Sequence, residues 1–264
     1  MTHPMTHHAT RVTDTSLYDG LAPCYHLLYA DWERSIARQG AALAGLLEEL
    51  GVAPGARVHD AACGIGTQTI ALAQRGYRVS ASDLSPGAVE RARDELARRG
   101  ASADVCVADM RALRDVVPEP VDAVLACDNA VPHLLSDADI LTAFRAFRAV
   151  LRRGGPMVIS VRDYAALPRR DPDVHPYGVQ RVGDRRVLPV QVWEWDADGE
   201  RYDLRVYITV ESADGTCTTT VHRGRYYAVS VARLTELALL AGFGHVERRD
   251  GVLFQPVLVA TADA

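Results

Sequence analysis

Five short apolar runs alternate with longer amphipathic segments between residues 56 and 163, and this alternation limits the chain to few folds. The apolar runs predict buried strands, and they read ARVHDAA, YRVSASD, ADVCVAD, VDAVLAC and PMVISVRD. The segments between most of them predict helices, one of which starts at Ser85 and Pro86 and another of which ends at Gly76. Strands connected in this way pair in parallel, so we expect an α/β protein with a doubly wound sheet.

After residue 180 the pattern changes to long β-type runs separated by ADGE and ADG, which is typical of antiparallel hairpins. A helical segment, VARLTELALLAGF, and two strand-like runs, HVERRD and VLFQPVLVAT, then return to the α/β pattern. We therefore predict one domain over residues 16–264 with a seven-stranded, mostly parallel, Rossmann-like sheet. Its expected parts are an N-terminal helical lid (16–50), a cofactor-binding core (55–165) and an antiparallel hairpin insertion (180–228).

The bulk composition excludes several classes of function. The 264 residues carry a formal net charge of -5 and no long basic cluster, so nucleic acid is not an expected partner. The five cysteines form neither a CxxC pair nor a Cys/His ligand pattern, which indicates a reducing compartment and no metal site. No apolar run suits a signal peptide or a membrane span, so we predict a cytoplasmic protein. Residues 1–15 are expected to form a flexible polar tail.

The first predicted strand ends in a glycine-containing loop, DAACGIGTQ, at residues 60–68. A dinucleotide site needs a third glycine where Thr69 stands, and the Gly-Lys-Ser/Thr of a phosphate loop is missing from the sequence here. Asp83 ends the second strand, where its carboxylate can accept hydrogen bonds from both ribose hydroxyls. Asp109 ends the third strand beside Met110 and can accept from an adenine amino group. These features indicate a site for adenosine without phosphates.

With DAACGIGTQ, ASDLS and VADM as successive motifs, the chain resembles the class I S-adenosylmethionine-dependent methyltransferases. Three more stretches, YDGLAPCYHLLYADW, CDNAVPHLL and SVRDY, resemble the glycine and sarcosine N-methyltransferases. The resemblance covers nearly all of residues 16–260 and implies S-adenosylmethionine as cofactor and a small amine, such as glycine or sarcosine, as acceptor. It also implies that Arg38 holds the methionine carboxylate of the cofactor and that N-terminal aromatic residues cover the sulfonium.

Motif positions and the resemblance together assign the candidate site residues. The expected cofactor-binding residues are Tyr18, Trp32, Arg38, Asp60, Ala62, Gly64, Asp83, Leu84, Asp109, Met110 and Cys127. The expected acceptor-binding residues are Tyr29, Asn129, His133, Arg162, Tyr164 and Tyr226, and the expected catalytic residues are Tyr25, Asn129 and His133. Asp60 either binds the ammonium of the cofactor or caps the loop.

Other assignments also leave a structural alternative open. Asn129 can orient the nucleophile or hold a turn, and His133 can act as a general base or pack as a neutral ring. Arg162 can clamp a substrate carboxylate through two parallel hydrogen bonds, or it can pair with Asp163 or Asp171.

The expected function is N-methylation of a small molecule, and two rivals remain. One is a natural-product methyltransferase with an oxygen or ring-nitrogen acceptor, and the other is a non-catalytic adenosine-binding module on the same fold. Methylation of a nucleic-acid base is disfavoured because DNAV, at residues 128–131, stands where Asp/Asn-Pro-Pro-aromatic is characteristic. The N-terminal segment either closes over the site of its own chain or reaches a neighbouring subunit of a homo-oligomer.

Overall fold

The computed structural model describes residues 15–170 and 172–262, so the tail predicted for residues 1–15 lies outside the described residues except for Thr15. The α-helices are α1 (Thr15–Leu21), α2 (Trp32–Glu49), α3 (Thr67–Ala73), α4 (Pro86–Arg98), α5 (Asp137–Val150) and α6 (Val231–Leu240). The strands are β1 (Arg57–Asp60), β2 (Arg78–Asp83), β3 (Asp104–Val107), β4 (Ala123–Ala126), β5 (Pro156–Ser160), β6 (Asp173–Pro176), β7 (Gln180–Val182), β8 (Arg185–Trp195), β9 (Arg201–Glu211), β10 (Cys217–Tyr227), β11 (Phe243–Arg249) and β12 (Val257–Ala262). Short 3₁₀ turns cover Tyr25–Leu28, Met110–Asp115 and Val131–Leu134.

The central sheet has the strand order β11-β12-β5-β4-β1-β2-β3. Strands β1 to β5 pair in parallel, whereas β12 is antiparallel to both β5 and β11. This confirms the predicted seven-stranded, mostly parallel sheet. The strand order reverses between β1 and β4, where Asp60 pairs with Leu125. Open α/β sheets bind ligands in the crevice beyond the carboxyl ends of the strands at such a point.

A second sheet lies in the segment between β5 and α6. It is antiparallel, with the order β10-β9-β8-β6, and β7 pairs with β8. The long strands β8, β9 and β10 confirm the predicted hairpins. The sequence does not predict β6 and β7, because both are short and β6 ends in Pro176.

The last predicted strand, VLFQPVLVAT, is longer than the strand that forms. β12 begins only at Val257, directly after Pro256. Proline has no backbone N–H to donate to a sheet, so the ladder starts beyond it. Residues 252–256 instead form a bent segment at the carboxyl end of β5, where Val161 N–H donates to Pro256 O.

Helices cover both faces of the central sheet. On one face, Leu43 and Leu47 of α2 pack with Val58 of β1 in a buried apolar cluster. On the other face, Phe144 of α5 and Tyr202 of β9 belong to one continuous cluster, so the second sheet shares its core with the central sheet. Each fully buried side chain of this size stabilises the fold by about 2 kcal/mol. Helix α1 packs against α4 and β10, which holds the N-terminal segment over the carboxyl ends of the strands.

Three further observations concern a membrane span, a metal site and two buried thiols. Within residues 15–170 and 172–262, no helix is long and apolar enough to cross a membrane. In the same ranges, His, Cys, Asp and Glu side chains form no group of three that could hold a metal ion. Burial raises the pKa of the Cys63 and Cys127 thiols well above the usual range, so both stay protonated near neutral pH and are poor nucleophiles.

Candidate functional site

A cavity of about 580 Å³ opens at the carboxyl ends of β1 to β4. We call it the first cavity. Predicted cofactor residues from the ends of four strands, β1 to β4, and from α1 line it, namely Tyr18, Ala62, Gly64, Asp83, Leu84, Asp109, Met110 and Cys127. Its wall is rich in carboxylates, which accept hydrogen bonds from hydroxyl and amino groups and repel phosphates. This donor and acceptor chemistry fits the adenosine and the sulfonium of S-adenosylmethionine.

The glycine loop is tied to the end of β2 by Asp83. Gly64 N–H donates to Asp83 Oδ2 at 2.8 Å, and Ser85 N–H donates to Oδ1 at 2.9 Å. Gly64 and Gly66 have φ angles of 51° and 94°, in the left-handed region that favours glycine. Burial raises the pKa of Asp83, although the Ser85 and Gly64 amides lower it in part. Asp83 therefore shapes the loop, and its contact with a ribose, through its remaining lone pairs, stays a prediction.

Asp109 lies on the wall of the first cavity, but Arg111 already binds its carboxylate. Arg111 Nη2 donates to Oδ2 at 2.6 Å, and Arg111 N–H donates to Oδ1 at 2.8 Å. Burial alone would raise the pKa of Asp109, but the hydrogen bonds and charge of Arg111 lower it overall. The contact with an adenine amino group stays a prediction, and it would use the remaining lone pairs of this ionised carboxylate.

Asp60, at the end of β1, is only 1% exposed. Thr69 Oγ1 donates to Asp60 Oδ2 at 2.8 Å, whereas Oδ1 has no hydrogen-bond partner among the described residues. Burial raises the pKa of Asp60 to about 7, although Thr69 and the nearby Ala62 amide lower it in part. Asp60 does not line the first cavity itself, but the next residues, Ala61 and Ala62, do. A buried oxygen without a partner fits a cationic group such as the ammonium of S-adenosylmethionine.

Two other predicted cofactor residues, Trp32 and Arg38, do not line the first cavity. Trp32 is buried, and its Nε1 donates to Thr67 Oγ1 at 2.9 Å, while Thr67 lines the cavity. Arg38 is exposed and lines a neighbouring cavity instead. Their contacts with the cofactor stay predictions. Trp32 touches the wall of the first cavity only indirectly, through its hydrogen bond to Thr67.

The neighbouring cavity, which we call the second cavity, measures about 540 Å³. It shares four lining residues with the first cavity: Tyr18, Tyr25, Tyr29 and Asp128. Burial raises the pKa of the Tyr25 and Tyr29 hydroxyls well above the usual range, so both stay protonated. The N-terminal aromatic residues therefore form part of the boundary between the two cavities.

Arg162 lines the second cavity and is surrounded by aromatic rings. Its guanidinium carbon lies 5.1 Å from the centre of the Trp193 ring and 5.9 Å from that of Tyr226. Asp163 pairs with Arg248 at 2.7 Å, and Asp171 lies outside the described residues. Among the residues that the structure describes, Arg162 has no carboxylate partner.

Asn129 and Tyr164 line neither cavity. Asn129 is fully buried, and its Nδ2 donates to Tyr164 Oη at 2.8 Å. Asn129 Oδ1 accepts from Arg162 N–H at 3.0 Å. These bonds connect the ends of β4 and β5, so both residues are placed to orient Arg162. Their predicted contact with the acceptor stays a prediction.

His133 is held between two tyrosines at the edge of the first cavity. Tyr18 Oη lies 2.7 Å from His133 Nε2 and 3.2 Å from Tyr226 Oη. The His133 and Tyr226 rings are 3.9 Å apart between centres. Since Tyr18 and Tyr226 also line the second cavity, this cluster connects His133, the predicted base, to that cavity.

Asp128 and Gln68 are site residues that the sequence reasoning missed. Both line the first cavity, and Gln68 Nε2 donates to Asp128 Oδ2 at 3.0 Å. Asp128 and Asn129 have φ angles of 55° and 67°. A usable signal was the Asp-Asn pair directly after β4, because these residues adopt left-handed backbone more readily than other non-glycine residues.

Comparison with known proteins adds evidence on ancestry. Residues 58–155 match the family model of the Methyltransferase domain. Over 138 residues, 52% of this chain, it is 30% identical to a glycine/sarcosine/dimethylglycine N-methyltransferase from Actinopolyspora halophila, and the match covers 24% of that protein. Over 137 residues, 52% of this chain, it is 30% identical to a glycine/sarcosine N-methyltransferase from Parasynechococcus marenigrum (strain WH8102), and the match covers 48% of that protein. The chain thus spans less than half the length of either relative.

Solved structures show the same architecture over most of the chain. CalS10, an amino pentose methyltransferase from Micromonospora echinaspora involved in calicheamicin biosynthesis, has been solved with S-adenosylmethionine bound. It superposes with a TM-score of 0.73 at 23% identity, covering 86% of this chain and 91% of CalS10. At this identity, the likeness establishes a common fold.

Proposed function

Residues 58–155 form a class I S-adenosylmethionine-dependent methyltransferase domain, and from this premise we propose that the chain methylates the nitrogen of a small amine that carries a carboxylate. Glycine, sarcosine and larger amino acids belong to this class of acceptor. The first cavity would take the cofactor, and the second cavity would take the acceptor. The shared boundary of Tyr18, Tyr25, Tyr29 and Asp128 supports this division, since a methyl group must cross from one ligand to the other.

One observation carries the choice of acceptor: Arg162 has no carboxylate partner among the described residues although it is partly buried. A guanidinium removed from water without an anionic partner is costly, so such a group in a cavity wall favours an anionic ligand. Arginine binds a carboxylate through two parallel hydrogen bonds, which also orients the ligand. The nearby aromatic rings of Trp193 and Tyr226 leave the charge of Arg162 available for the substrate.

The residues of the chain would bind and orient the reactants. When bound, S-adenosylmethionine supplies an electrophilic methyl group on a good leaving group. Tyr25 and Tyr29 would exclude water and present aromatic faces to positive charge at the junction. Arg162 would bind the carboxylate of the acceptor so that the acceptor nitrogen faces the first cavity. This would hold the nitrogen and the methyl group in a near-attack geometry. His133, through Tyr18 Oη at 2.7 Å from its Nε2, would receive a proton from the acceptor side.

Arg162→Ala tests the carboxylate clamp. Loss of charge-assisted hydrogen bonds should raise KM about 30- to 100-fold for glycine, sarcosine or another acid-bearing amine, and should change KM for neutral amines less than threefold. Both classes are assayed with labelled S-adenosylmethionine. Arg34→Ala is the matched control, because Arg34 lines the same cavity but is exposed. An equal loss for acid-bearing and neutral amines would remove Arg162 as the clamp.

The wider acceptor screen separates the rival functions. Purified protein is incubated with S-adenosylmethionine and a panel of amino acids, neutral amines, amino sugars and phenols, and products are detected by mass spectrometry as +14 shifts. Methylation of acid-bearing amines alone supports the proposal. Methylation of phenols or ring nitrogens would favour the natural-product alternative. Cofactor binding without transfer to any member of the panel would favour a non-catalytic adenosine-binding module.

A further inference from the structure

The turn that follows β4 places a carboxylate where the two cavities meet. Asp128 has a φ of 55°, which is unusual for a residue with a side chain. The turn is held by β5, because Ser160 Oγ accepts from Asp128 N–H at 2.8 Å and Ser160 O accepts from Asn129 N–H at 2.9 Å. Strained backbone of this kind persists only where the surroundings enforce it, and it concentrates at functional sites.

One carboxylate oxygen of Asp128 accepts hydrogen bonds from the protein, and the other accepts none from the described residues. Tyr29 Oη and Gln68 Nε2 each donate to Oδ2 at 3.0 Å, and Gln68 is itself anchored, since its Nε2 also donates to Gln39 Oε1 at 2.8 Å. No described residue forms a hydrogen bond to Asp128 Oδ1, and no Arg or His of the described ranges pairs with this carboxylate. Since Asp128 lines both cavities, its carboxylate is oriented by protein groups and presented to a ligand.

Asp128 and Arg162 put opposite charges into the wall of the second cavity. They do not form an ion pair with each other, and neither has an oppositely charged partner among residues 15–170 and 172–262. Both charges act on the nearby Tyr25 hydroxyl. Burial raises the pKa of this hydroxyl, the negative charge of Asp128 raises it further, and the positive charge of Arg162 lowers it. A cavity with two separated, unpaired charges of opposite sign matches a zwitterion, whose two charges are also held apart.

We propose that Asp128 binds the amine of the methyl acceptor at the junction of the cavities and, with Arg162, makes the site selective for zwitterionic amino acids. This inference rests on the proposed function. Asp128 Oδ1 accepts a hydrogen bond from the bound ammonium, which loses one proton to solvent or to the Tyr18–His133 pair and so gains a lone pair directed towards the first cavity. The neutral nitrogen then forms a bond to the methyl carbon while the electron pair of the carbon–sulfur bond goes to sulfur.

The experiment compares native protein with Asp128→Asn. Asparagine tolerates the left-handed backbone and keeps the size of the side chain, so the turn is retained while the charge is lost. The probes are glycine, sarcosine and larger α-amino acids, each paired with the carboxylic acid in which hydrogen replaces the amino group. We expect Asp128→Asn to raise KM for the amino acids about 10- to 100-fold, and to leave inhibition by the deaminated acids within threefold of native.

The matched control is Asp198→Asn. Asp198 is exposed in the turn between β8 and β9, where it accepts from Glu200 N–H at 2.8 Å, and it lines neither cavity. Asparagine suits such a turn equally well, so only the charge changes. We expect this variant to behave as native. Binding of S-adenosylhomocysteine to Asp128→Asn should also stay within threefold of native, because the carboxylate acts on the acceptor.

Failure of this inference and failure of the proposed function give different results. If native protein methylates amino acids and Asp128→Asn does so with unchanged KM, Asp128 does not bind the amine. A loss of S-adenosylhomocysteine affinity in Asp128→Asn that equals the rise in KM would assign Asp128 to the cofactor instead. If native protein methylates no acid-bearing amine, the proposed function fails first, and with it the zwitterion site.

Discussion

Replacing Asp83 with alanine should weaken the binding of S-adenosylmethionine and S-adenosylhomocysteine by between about 100- and 1,000-fold. The variant loses the carboxylate expected to accept from two ribose hydroxyls, and charge-assisted hydrogen bonds contribute about 1.5–3 kcal/mol each. It also frees the Gly64 and Ser85 amides that Asp83 binds at 2.8 and 2.9 Å, so the glycine loop loses its anchor. Isothermal titration with S-adenosylhomocysteine measures the effect.

The matched control for Asp83 is Asp109→Ala, at the end of the neighbouring strand. Asp109 also lines the first cavity, but its carboxylate is already bound by Arg111, so we expect a smaller loss, of about tenfold or less. Circular dichroism and thermal melting show whether both variants are folded. A folded Asp83→Ala protein that binds S-adenosylhomocysteine within threefold of native would contradict the assignment of Asp83.

Replacing Asp60 with asparagine should stabilise the ligand-free protein at pH 8 and weaken cofactor binding. The folded pKa of Asp60 is raised to about 7, above its ordinary value of 3.8, so the folded state keeps a proton that the unfolded state has lost. The free energy of unfolding therefore falls as pH rises from about 4 to 7 and stays low above it. Asparagine does not titrate, so it removes this pH-dependent fall in the free energy of unfolding, and its side-chain oxygen can still accept the hydrogen bond from Thr69.

The stabilisation by Asp60→Asn should grow by about 2–3 kcal/mol between pH 5 and pH 8, as followed by urea unfolding of both proteins at each pH. Asp94→Asn is the control, because Asp94 is exposed on α4, and it should change the unfolding free energy little at either pH. S-adenosylhomocysteine should bind Asp60→Asn about 10- to 100-fold more weakly, since the unpartnered Oδ1 loses its charge. A difference between the two proteins that does not depend on pH would show that Asp60 is not the titrating group.

Much of the fold could be predicted because it depends on local patterns. The strand and helix segments of the central sheet follow from apolar periodicity and from caps such as Ser85, whose side chain accepts from Ala88 N–H at 3.1 Å. The parallel pairing then follows from the connections. The sequence did not indicate β6 or β7, because three- and four-residue strands carry too little periodic pattern, and it extended the last strand past Pro256.

Some residues of the candidate site could likewise be predicted from the sequence, and others could not. Asp83 could be found from the sequence because it ends a strand, and all carboxyl ends of a parallel sheet meet at one edge. Arg38 could not be placed, because the direction of an exposed residue on α2 depends on how that helix packs. Gln68 and Asp128 were missed because they are far apart in the chain and come into contact only in the folded protein.

By itself, the sequence determined the sheet, the glycine loop and the strand-end acids, because these depend on backbone propensity and on the order of strands. Only the tertiary structure decided that there are two joined cavities in the described part of the chain, and which residues belong to each. The second cavity exists because α1 and the second sheet fold over the carboxyl ends of β4 and β5 and bring Tyr18, Tyr226 and Arg162 together. Arg162 and Asp128 have no oppositely charged partner among the described residues, and this is a property of that three-dimensional arrangement, since a charge is unpaired only relative to the groups that pack around it.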